Sequence, residues 1–254
     1  TFSGGTMLGT GITRAEGGLL LNGGIKDIQG ERDLLNASGN TADWTTGQIR
    51  LLDQGSQLVN EAGAVMNISG GSRSLSGGGG PVGALDNMGT LNVNLSSNTQ
   101  ALAVSTRLNN TGSVEVQQGR LNLGGGGTHT GSFTGGANGT LEFSGGTHQF
   151  QAGSSITASN VEFSAAYSGA STFNMNGIYD AGSTGISNAI VNFNGANDTV
   201  TLKQTGGTLG GTGTLSVSGQ TQFSGGAMEG SGTTRAEGGL MLDGGTKDIQ
   251  GDRK

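Results

Sequence analysis

Two histidines form the first pattern in the sequence that suggests chemistry. His129 and His148 each end a Gly-Gly-Thr-His motif. The sequence distance between the two motifs is close to the length of one turn of a stacked-strand fold. Such stacking would bring the two imidazoles within ~5 Å of each other, close enough to share a transition metal. No third ligand is evident, so we expect repeat-encoded surface positions and predict neither a metal site nor a cofactor.

Three glutamates raise the question of acid–base catalysis. Glu115, Glu142 and Glu162 lie centrally in strand-like segments, and paired carboxylates cleave glycosidic bonds in many glycoside hydrolases. Catalysis of that kind also needs clustered acidic side chains with Arg or Lys nearby, and the sequence indicates no such basic partners. We therefore predict a solvated face. With no Cys nucleophile and no triad setting for either histidine, the chain is expected not to be an enzyme.

Loop motifs give weaker signals. The segment Asn194–Val200 is similar to part of a calcium-binding nonapeptide repeat, but such sites need tandem copies and this segment stands alone. The glycine runs at 77–80 and 124–127 lack the Lys-Ser/Thr and the helix of a phosphate-binding loop. We interpret all three as turns or loops and expect residues 77–81 to form a protruding loop.

Aromatic residues followed by Ser or Thr and Gly recur along the chain. We expect several of them to stack in the core: Phe2, Trp44, Phe133, Phe143 and Phe223. Trp44 has a second interpretation, as an exposed residue that stacks on a sugar. It is therefore carried as a candidate surface contact.

The composition limits the classes of fold that can position these residues. Of 254 residues, 54 are Gly, one is Pro and none is Cys, while 31% are apolar and 12% charged. This is too few large side chains for one ordinary globular core of this length. Disorder normally brings high net charge and abundant Pro, and Gly does not recur every third residue as in collagen. The composition favours a thin apolar core spread along an axis.

Charge and hydropathy restrict the partners. A net charge of −6 without basic stripes argues against nucleic acid. The longest apolar runs are far too short to span a bilayer. The chain begins in the middle of a repeated pattern, so we expect it to be a piece of a longer protein. The absence of Cys fits a large exported chain.

Internal repeats carry the prediction of the fold. Residues 2–32 return at 223–253 with a constant offset of 221, and about 23 of the 31 positions are identical. This predicts one continuous solenoid over residues 1–254. It would contain one long repeat (1–221) and the start of the next (222–254). A tandem array is the expected parent.

A shorter repeat lies within the long one. Its motif is an apolar residue, Asn or Asp, any residue, a small residue and Gly, and copies of it begin at Leu35, Val59, Leu85 and Leu108. The last three copies run on into short strand-like segments. We predict that the polar residues of this motif stack as a structural ladder at a turn. Its predicted members are Asn36, Asn60, Asp86 and Asn109.

Strands of three to five residues are too short to be stable as isolated hairpins, but they pair well when stacked about 4.8 Å apart. The spacing therefore predicts an all-β, parallel β-helix of ten to twelve turns with roughly 20–25 residues each, roughly 50–55 Å long. A right hand is expected from the usual rule for parallel connections. Tandem immunoglobulin-like domains are disfavoured by the short spacing and the single Trp44.

The segments Phe223–Thr233 and Leu108–Val114 resemble the Gly/Asn-rich β-strand repeats of giant bacterial surface proteins. Autotransporter passengers and filamentous-haemagglutinin-type adhesins share this style. The resemblance implies secretion and a fibrous shape. Together with the 221-residue period, it leads us to expect an extracellular, cell-surface segment that acts as a structural or adhesive stalk, with a cell surface or an extracellular polysaccharide as its partner. Two alternatives stay open: a filament or sheath that assembles end to end, and a carbohydrate-binding or carbohydrate-processing β-helix.

Overall fold

The computed structural model describes residues 1–78, 83–165 and 171–254. Within these ranges the chain contains strands and turns but no helix, and every strand pairing is parallel. Successive turns stack into a β-solenoid with about 21 residues per turn. The prediction of an all-β parallel β-helix is confirmed.

Each turn consists of three short strands, which we call the first, second and third faces in chain order. The third face is a separate sheet of 12 parallel strands. At about 4.8 Å per step, eleven steps give a length of roughly 53 Å. Its strands are Gly11–Ala15 (β2), Arg32–Asn36 (β5), Gln57–Asn60 (β8), Ala84–Asn87 (β11), Arg107–Asn110 (β14), Gly127–His129 (β16), Thr147–Phe150 (β18), Thr172–Met175 (β20), Ile190–Phe193 (β22), Thr208–Gly210 (β24), Gly226–Met228 (β27) and Lys247–Ile249 (β30).

The first and second faces belong to one larger sheet, because five strands run across the corner between them. These five are Ser113–Leu123 (β15), Ser132–Phe143 (β17), Ser155–Ser164 (β19), Ile178–Ser187 (β21) and Ala196–Gln204 (β23). The other strands of the first face are Leu19–Leu21 (β3), Thr41–Trp44 (β6), Val65–Gly70 (β9), Thr90–Leu95 (β12), Thr214–Val217 (β25) and Thr233–Ala236 (β28). Those of the second face are Gly5–Leu8 (β1), Lys26–Gln29 (β4), Ile49–Leu51 (β7), Arg73–Gly77 (β10), Ala101–Val104 (β13), Thr221–Phe223 (β26) and Leu240–Leu242 (β29).

Turn length varies more than the sequence spacing indicates. The turn that leads from Ile190 to its strand partner Thr208 is much shorter than the turn that leads from Leu75 to its partner Val104. The strands stay in register because described extra residues of the longer turn, 96–100, lie at a corner between two faces. The predicted loop at 77–81 falls partly on residues 79–82, which lie outside the described residues.

Glycines are required where the chain turns tightly against the previous turn. Gly127 has a φ of +145°, and a Cβ atom there would lie 1.8 Å from the carbonyl oxygen of Leu108. No other residue fits this position without moving the backbone. The glycine run at 124–127 is therefore a tight turn.

Inward-facing side chains alternate with outward ones, and the interior changes in character along the axis. The corner between the third and first faces is lined by amides near the N-terminus. Further along, the interior fills with aromatic rings, whose centroids lie 4.4–6.5 Å apart. The buried aromatic side chains of that section are Phe133, Phe143, Phe150, Phe163, Phe173, Tyr179 and Phe193.

The long repeat re-enters the solenoid with the same strand partners on a different face. Gly5 pairs with Lys26 on the second face, and their counterparts Gly226 and Lys247 pair in the same register on the third face. The order of the strands explains why the second copy lies on a different face. β2 and β27 are ten steps apart on the third face, and β28, the counterpart of β2, lies one face beyond β27. The offset of 221 therefore equals ten turns and one face.

Candidate functional site

A ladder of buried asparagines lines the corner between the third and first faces. The Nδ2 atom of Asn36 donates to Oδ1 of Asn60 at 2.9 Å, and the same bond joins Asn60 to Asn87 and Asn87 to Asn110 at 2.8 Å each. Each of these amides also donates to a backbone carbonyl at the start of a first-face strand. The ladder thus fixes the corner that begins each new turn.

The structure corrects two members of the predicted ladder. Asp86 and Asn109 point outward, where the Asn109 amide donates to the Asp86 carboxylate at 2.8 Å. The next residues, Asn87 and Asn110, take the inward positions. The strand partners explain the shift, because Leu85 aligns with Leu58 and not with Val59.

We expect Asn87→Ala to lower the free energy of unfolding by about 2 kcal/mol, since it removes one acceptor of the Asn60 amide and leaves the buried Oδ1 of Asn110 without its donor. Asn109→Ala is the matched control. The hydrogen bond of the Asn109 side-chain amide lies on the outer surface, and its loss should lower the free energy of unfolding by less than about 1 kcal/mol. Denaturant unfolding of the two variants measures both values. Equal losses would show that the inner ladder does not stabilise the fold.

The two histidines lie in the core and not at the surface, which corrects the sequence interpretation. His129 Nε2 lies 3.1 Å from His148 Nδ1, and both side chains are fully buried. The ring of His129 packs on Phe133 and Phe150 with centroids 5.0 and 4.4 Å away. The pair is thus a hydrogen-bonded element of the aromatic core.

Burial depresses the basicity of both imidazoles. The pKa of His148 is lowered by desolvation to about 4, although the carbonyl of Leu123 partly offsets this. Desolvation, with a smaller contribution from His148, also places the pKa of His129 well below its usual value. The two rings are therefore neutral at pH 7. Among the described residues, no group of three or more His, Asp or Glu is arranged to hold a metal ion.

Trp44 is a core residue and not an exposed platform for a sugar. Its side chain is 1% exposed, and its indole N–H donates to the carbonyls of Thr46 and Gly47 at 3.2 Å each. The guanidinium of Arg73 lies over the ring at 5.8 Å from its centroid. The other four aromatic residues predicted as core are also buried.

Among the described residues three cations are buried, which the sequence did not lead us to expect, and Lys26 and Arg73 are two of them. The Lys26 ammonium donates to the carbonyls of Asn22 and Gly24 at 2.9 and 2.8 Å, and desolvation, with Arg73 close by, lowers the pKa of this ammonium. Lys26 lies two residues before the buried Ile28 in the same strand. Because every second side chain of a strand points to the same side, this spacing indicated that Lys26 points inward.

Glu142 and Glu162 lie side by side on the second face, while Glu115 lies on the first face and is not part of the group. The expectation that they lack basic partners is wrong. Arg120 donates to Glu142 at 3.0 Å, and the positive charge of Lys203 acts on Glu162. Desolvation raises the pKa of the Glu162 carboxyl.

The remaining oxygen contacts of Glu142 are with Asn122 and Ser164, at 2.7 and 3.0 Å. The Glu162 carboxylate lies over Gly185, where a Cβ would approach its Oε2 to 2.0 Å. The Glu142 carboxylate thus joins side chains of the turns before and after it in a row of polar contacts on the solenoid surface. Such a row ties neighbouring turns together.

The segment similar to a calcium-binding repeat is tied into its neighbouring turns. The Asn194 amide donates to Asn176 at 3.0 Å, and its oxygen accepts from the backbone N–H of Thr212. Asn197 points inward and donates to the carbonyl of Gly195 at 2.9 Å. The two bonds of Asn194 connect neighbouring turns, and the bond of Asn197 lies within its own turn.

Comparisons of the chain with protein-family models, curated protein sequences and solved structures gave no match. In the part of the chain that the structure describes, no helix is long and apolar enough to cross a membrane.

Proposed function

We propose that the chain is a non-catalytic, structural and adhesive segment of a long extracellular fibre on a bacterial surface. One observation carries the proposal: the sequence that begins the long repeat returns at 223–253 and continues the stack with the same strand partners. Repetition of this kind lengthens a rod without adding a new site. Reach is the property that such a design increases.

The positions of the chemically capable side chains support this proposal. His129, His148 and Trp44 are enclosed in the core, and Glu142 is held by an arginine, an amide and a hydroxyl. These groups stabilise the contacts between turns. Polar side chains form rows along the axis on the outer surface, such as Asp43, Asn67 and Asn92 on the first face, and such rows suit contact with an extended surface such as a cell envelope or a polysaccharide.

Adhesion tests this proposal directly. Beads coated with the folded chain should be retained on bacterial or host cells, or on polysaccharide gels, at least several-fold better than beads coated with heat-unfolded chain. The double variant Glu142→Gln/Glu162→Gln should be retained equally well, because the proposed adhesion does not depend on these two carboxylates. Release of reducing ends from a polysaccharide, abolished in that variant, would instead establish the carbohydrate-processing alternative. Equal retention of folded and unfolded chain would contradict the adhesive role.

A filament that assembles end to end is a second candidate, favoured by the apolar side chains on the last turn. Leu242 and Ile249 are 61% and 69% exposed there, on strands that present open backbone edges. Sedimentation over a range of concentrations should then reveal oligomers that grow with concentration. A chain that stays monomeric at millimolar concentration would remove this candidate.

A further inference from the structure

The last turn of the solenoid presents an edge that the first copy of the repeat keeps covered. Leu240, Leu242 and Ile249 are 57%, 61% and 69% exposed. Their counterparts Leu19, Leu21 and Ile28 are at most 7% exposed, because a further turn lies on them. The same side chains are therefore buried wherever the next turn is present.

The turn that covers the first copy is known residue by residue. Strands β5, β6 and β7 pair with β2, β3 and β4, and together they span residues 32–51. Arg14 aligns with Leu35, Leu21 with Trp44 and Ile28 with Leu51. Residues 32–51 thus form the complement of the edge built by residues 11–29.

The last turn reproduces that edge in its contacts as well as in its sequence. The Lys247 ammonium donates to the carbonyls of Asp243 and Gly245, as Lys26 does to the residues 221 positions earlier. Arg253 donates to Thr234 at 2.7 Å, and their counterparts 221 positions earlier make the same bond at 2.8 Å. The two edges therefore offer a partner nearly the same surface.

The differences between the copies avoid the buried positions of this edge. The two copies differ at eight positions, and in the first copy seven of these residues are exposed and one is half-buried. They are Thr6, Leu8, Thr10, Ile12, Leu20, Asn22, Ile25 and Glu31. The buried residues and the glycines of the first copy are kept, so the capacity to accept a following turn is kept with them.

We propose that the last turn is a docking surface for a second copy of the long repeat that follows in line. In this arrangement residues 32–51 of the second copy pair with β28, β29 and β30. The second copy is then turned by one face about the axis, because its third-face strand β5 continues the first face of the copy before it. The inference rests on the proposed repetitive fibre and adds the geometry of the junction.

The geometry of the junction determines how an array displays its surface. Each added copy contributes ten turns and one face, which is about 50 Å of length at about 4.8 Å per turn. Any given surface then points in a new direction in each copy and returns to its first direction after three. A flat partner on any side of the fibre meets the same surface at every third copy.

A fused protein tests the junction, with residues 1–254 followed directly by a second copy of residues 34–254. The chain has no Cys, so an engineered pair reports the register without interference. Arg235→Cys with Leu35→Cys of the second copy should form a disulfide, since paired residues of adjacent strands lie within bonding distance. Arg14→Cys with Leu35→Cys in the unfused chain sets the reference yield, because these residues are strand partners.

The competing register has its own pair. A second copy that joins without turning would place a first-face strand, β6, on β28. Arg235→Cys would then bond to Asp43→Cys of the second copy, which points outward on β6. A disulfide in that pair, or in neither pair, overturns the proposal. A rod with the expected disulfide that fails to adhere to cells would contradict the proposed function and leave the junction standing.

Leu242→Asp gives a second measurement that does not depend on disulfides. In the unfused chain this residue is mostly exposed, so the variant should unfold within about 2 °C of the parent chain. In the fused protein it should be buried as Leu21 is, and protease should then cut between the two copies at least tenfold faster. Equal protease sensitivity of the fused variant and the fused parent would overturn the proposal.

Discussion

Acidification from pH 7 to pH 4 is expected to lower the free energy of unfolding by roughly 3 kcal/mol through His148 alone. The folded chain holds this imidazole at a pKa of about 4, whereas an unfolded histidine titrates near 6.5. Between these values the unfolded chain binds the proton and the folded chain does not. Stability is therefore fully present above about pH 6.5 and is lost as the pH falls toward 4. The pKa of His129 is lowered in the same direction, so this residue adds to the loss of stability.

The double variant His129→Leu/His148→Leu isolates this effect, because the chain has no other histidine. Both partners of the hydrogen bond are replaced by apolar groups of similar size, so the fold should be retained. Denaturant unfolding at several pH values should give a curve for the variant that is much flatter between pH 6.5 and 4. Carboxylates titrate in both proteins and cancel in the difference. Parallel curves for the two proteins would contradict the assignment.

Phe143→Ala should lower the free energy of unfolding by about 4 kcal/mol, the middle of the usual range for removal of a buried aromatic ring. This ring is the centre of the aromatic section, with its neighbours' centroids 5.0–6.3 Å away. The neighbours are Phe133, His148, Phe150, Phe163 and Phe173. The cavity would be surrounded by rings on several turns, which cannot all collapse into it.

Two variants serve as controls for Phe143→Ala in denaturant unfolding. Phe143→Leu keeps most of the volume and should cost at most about 2 kcal/mol. Phe223→Ala removes the same side chain near the open end of the solenoid, where no other ring packs against it among the described contacts, and should cost clearly less. A similar cost at positions 143 and 223 would show that the aromatic section has no special role in stability.

The fold was predictable because two kinds of repeat, one long and one short, both indicate it. The offset of 221 indicated a tandem design, and the regular spacing of the shorter motifs indicated stacked short strands. Alternation of apolar and polar residues also identified most inward positions, as in Thr41–Trp44, where Ala42 and Trp44 are buried. Strict use of that alternation excludes an exposed Trp44, so the alternative interpretation was avoidable.

Register was not predictable to one residue. The motif around Leu34-Leu35-Asn36 has two adjacent leucines, and alignment on the second one displaced the ladder to Asp86. The same error affects the histidines. Their motifs align His129 with His148, but the strands pair Gly127 with His148, so the rings meet on a diagonal. Side-chain packing on the neighbouring turns determines such shifts in register, and a short sequence motif carries no information about that packing.

The face of the solenoid on which each glutamate lies was also not predictable from the sequence. Glu115 precedes the bend in β15 at Gly119, which has a φ of +95°, whereas Glu142 and Glu162 follow the corresponding bends in their strands. Glutamates that lie centrally in similar strand-like segments are therefore found on different faces. The basic partners of the pair, Arg120 and Lys203, come from other turns of the solenoid, so local spacing gave no indication of them.

The asparagine ladder has a consequence for how the chain folds. Strands β5, β8, β11 and β14 are nearly equal in length and apolar pattern, so during folding one turn can pair with the wrong neighbour. If such a slip carried a turn into the aromatic section, an amide would lie against rings such as Phe150 with its polar atoms unpaired, at a cost of about 1–3 kcal/mol. Correctly threaded turns avoid this cost at each rung. The ladder therefore disfavours pairing of its turns with the aromatic section and favours pairing among the ladder turns themselves.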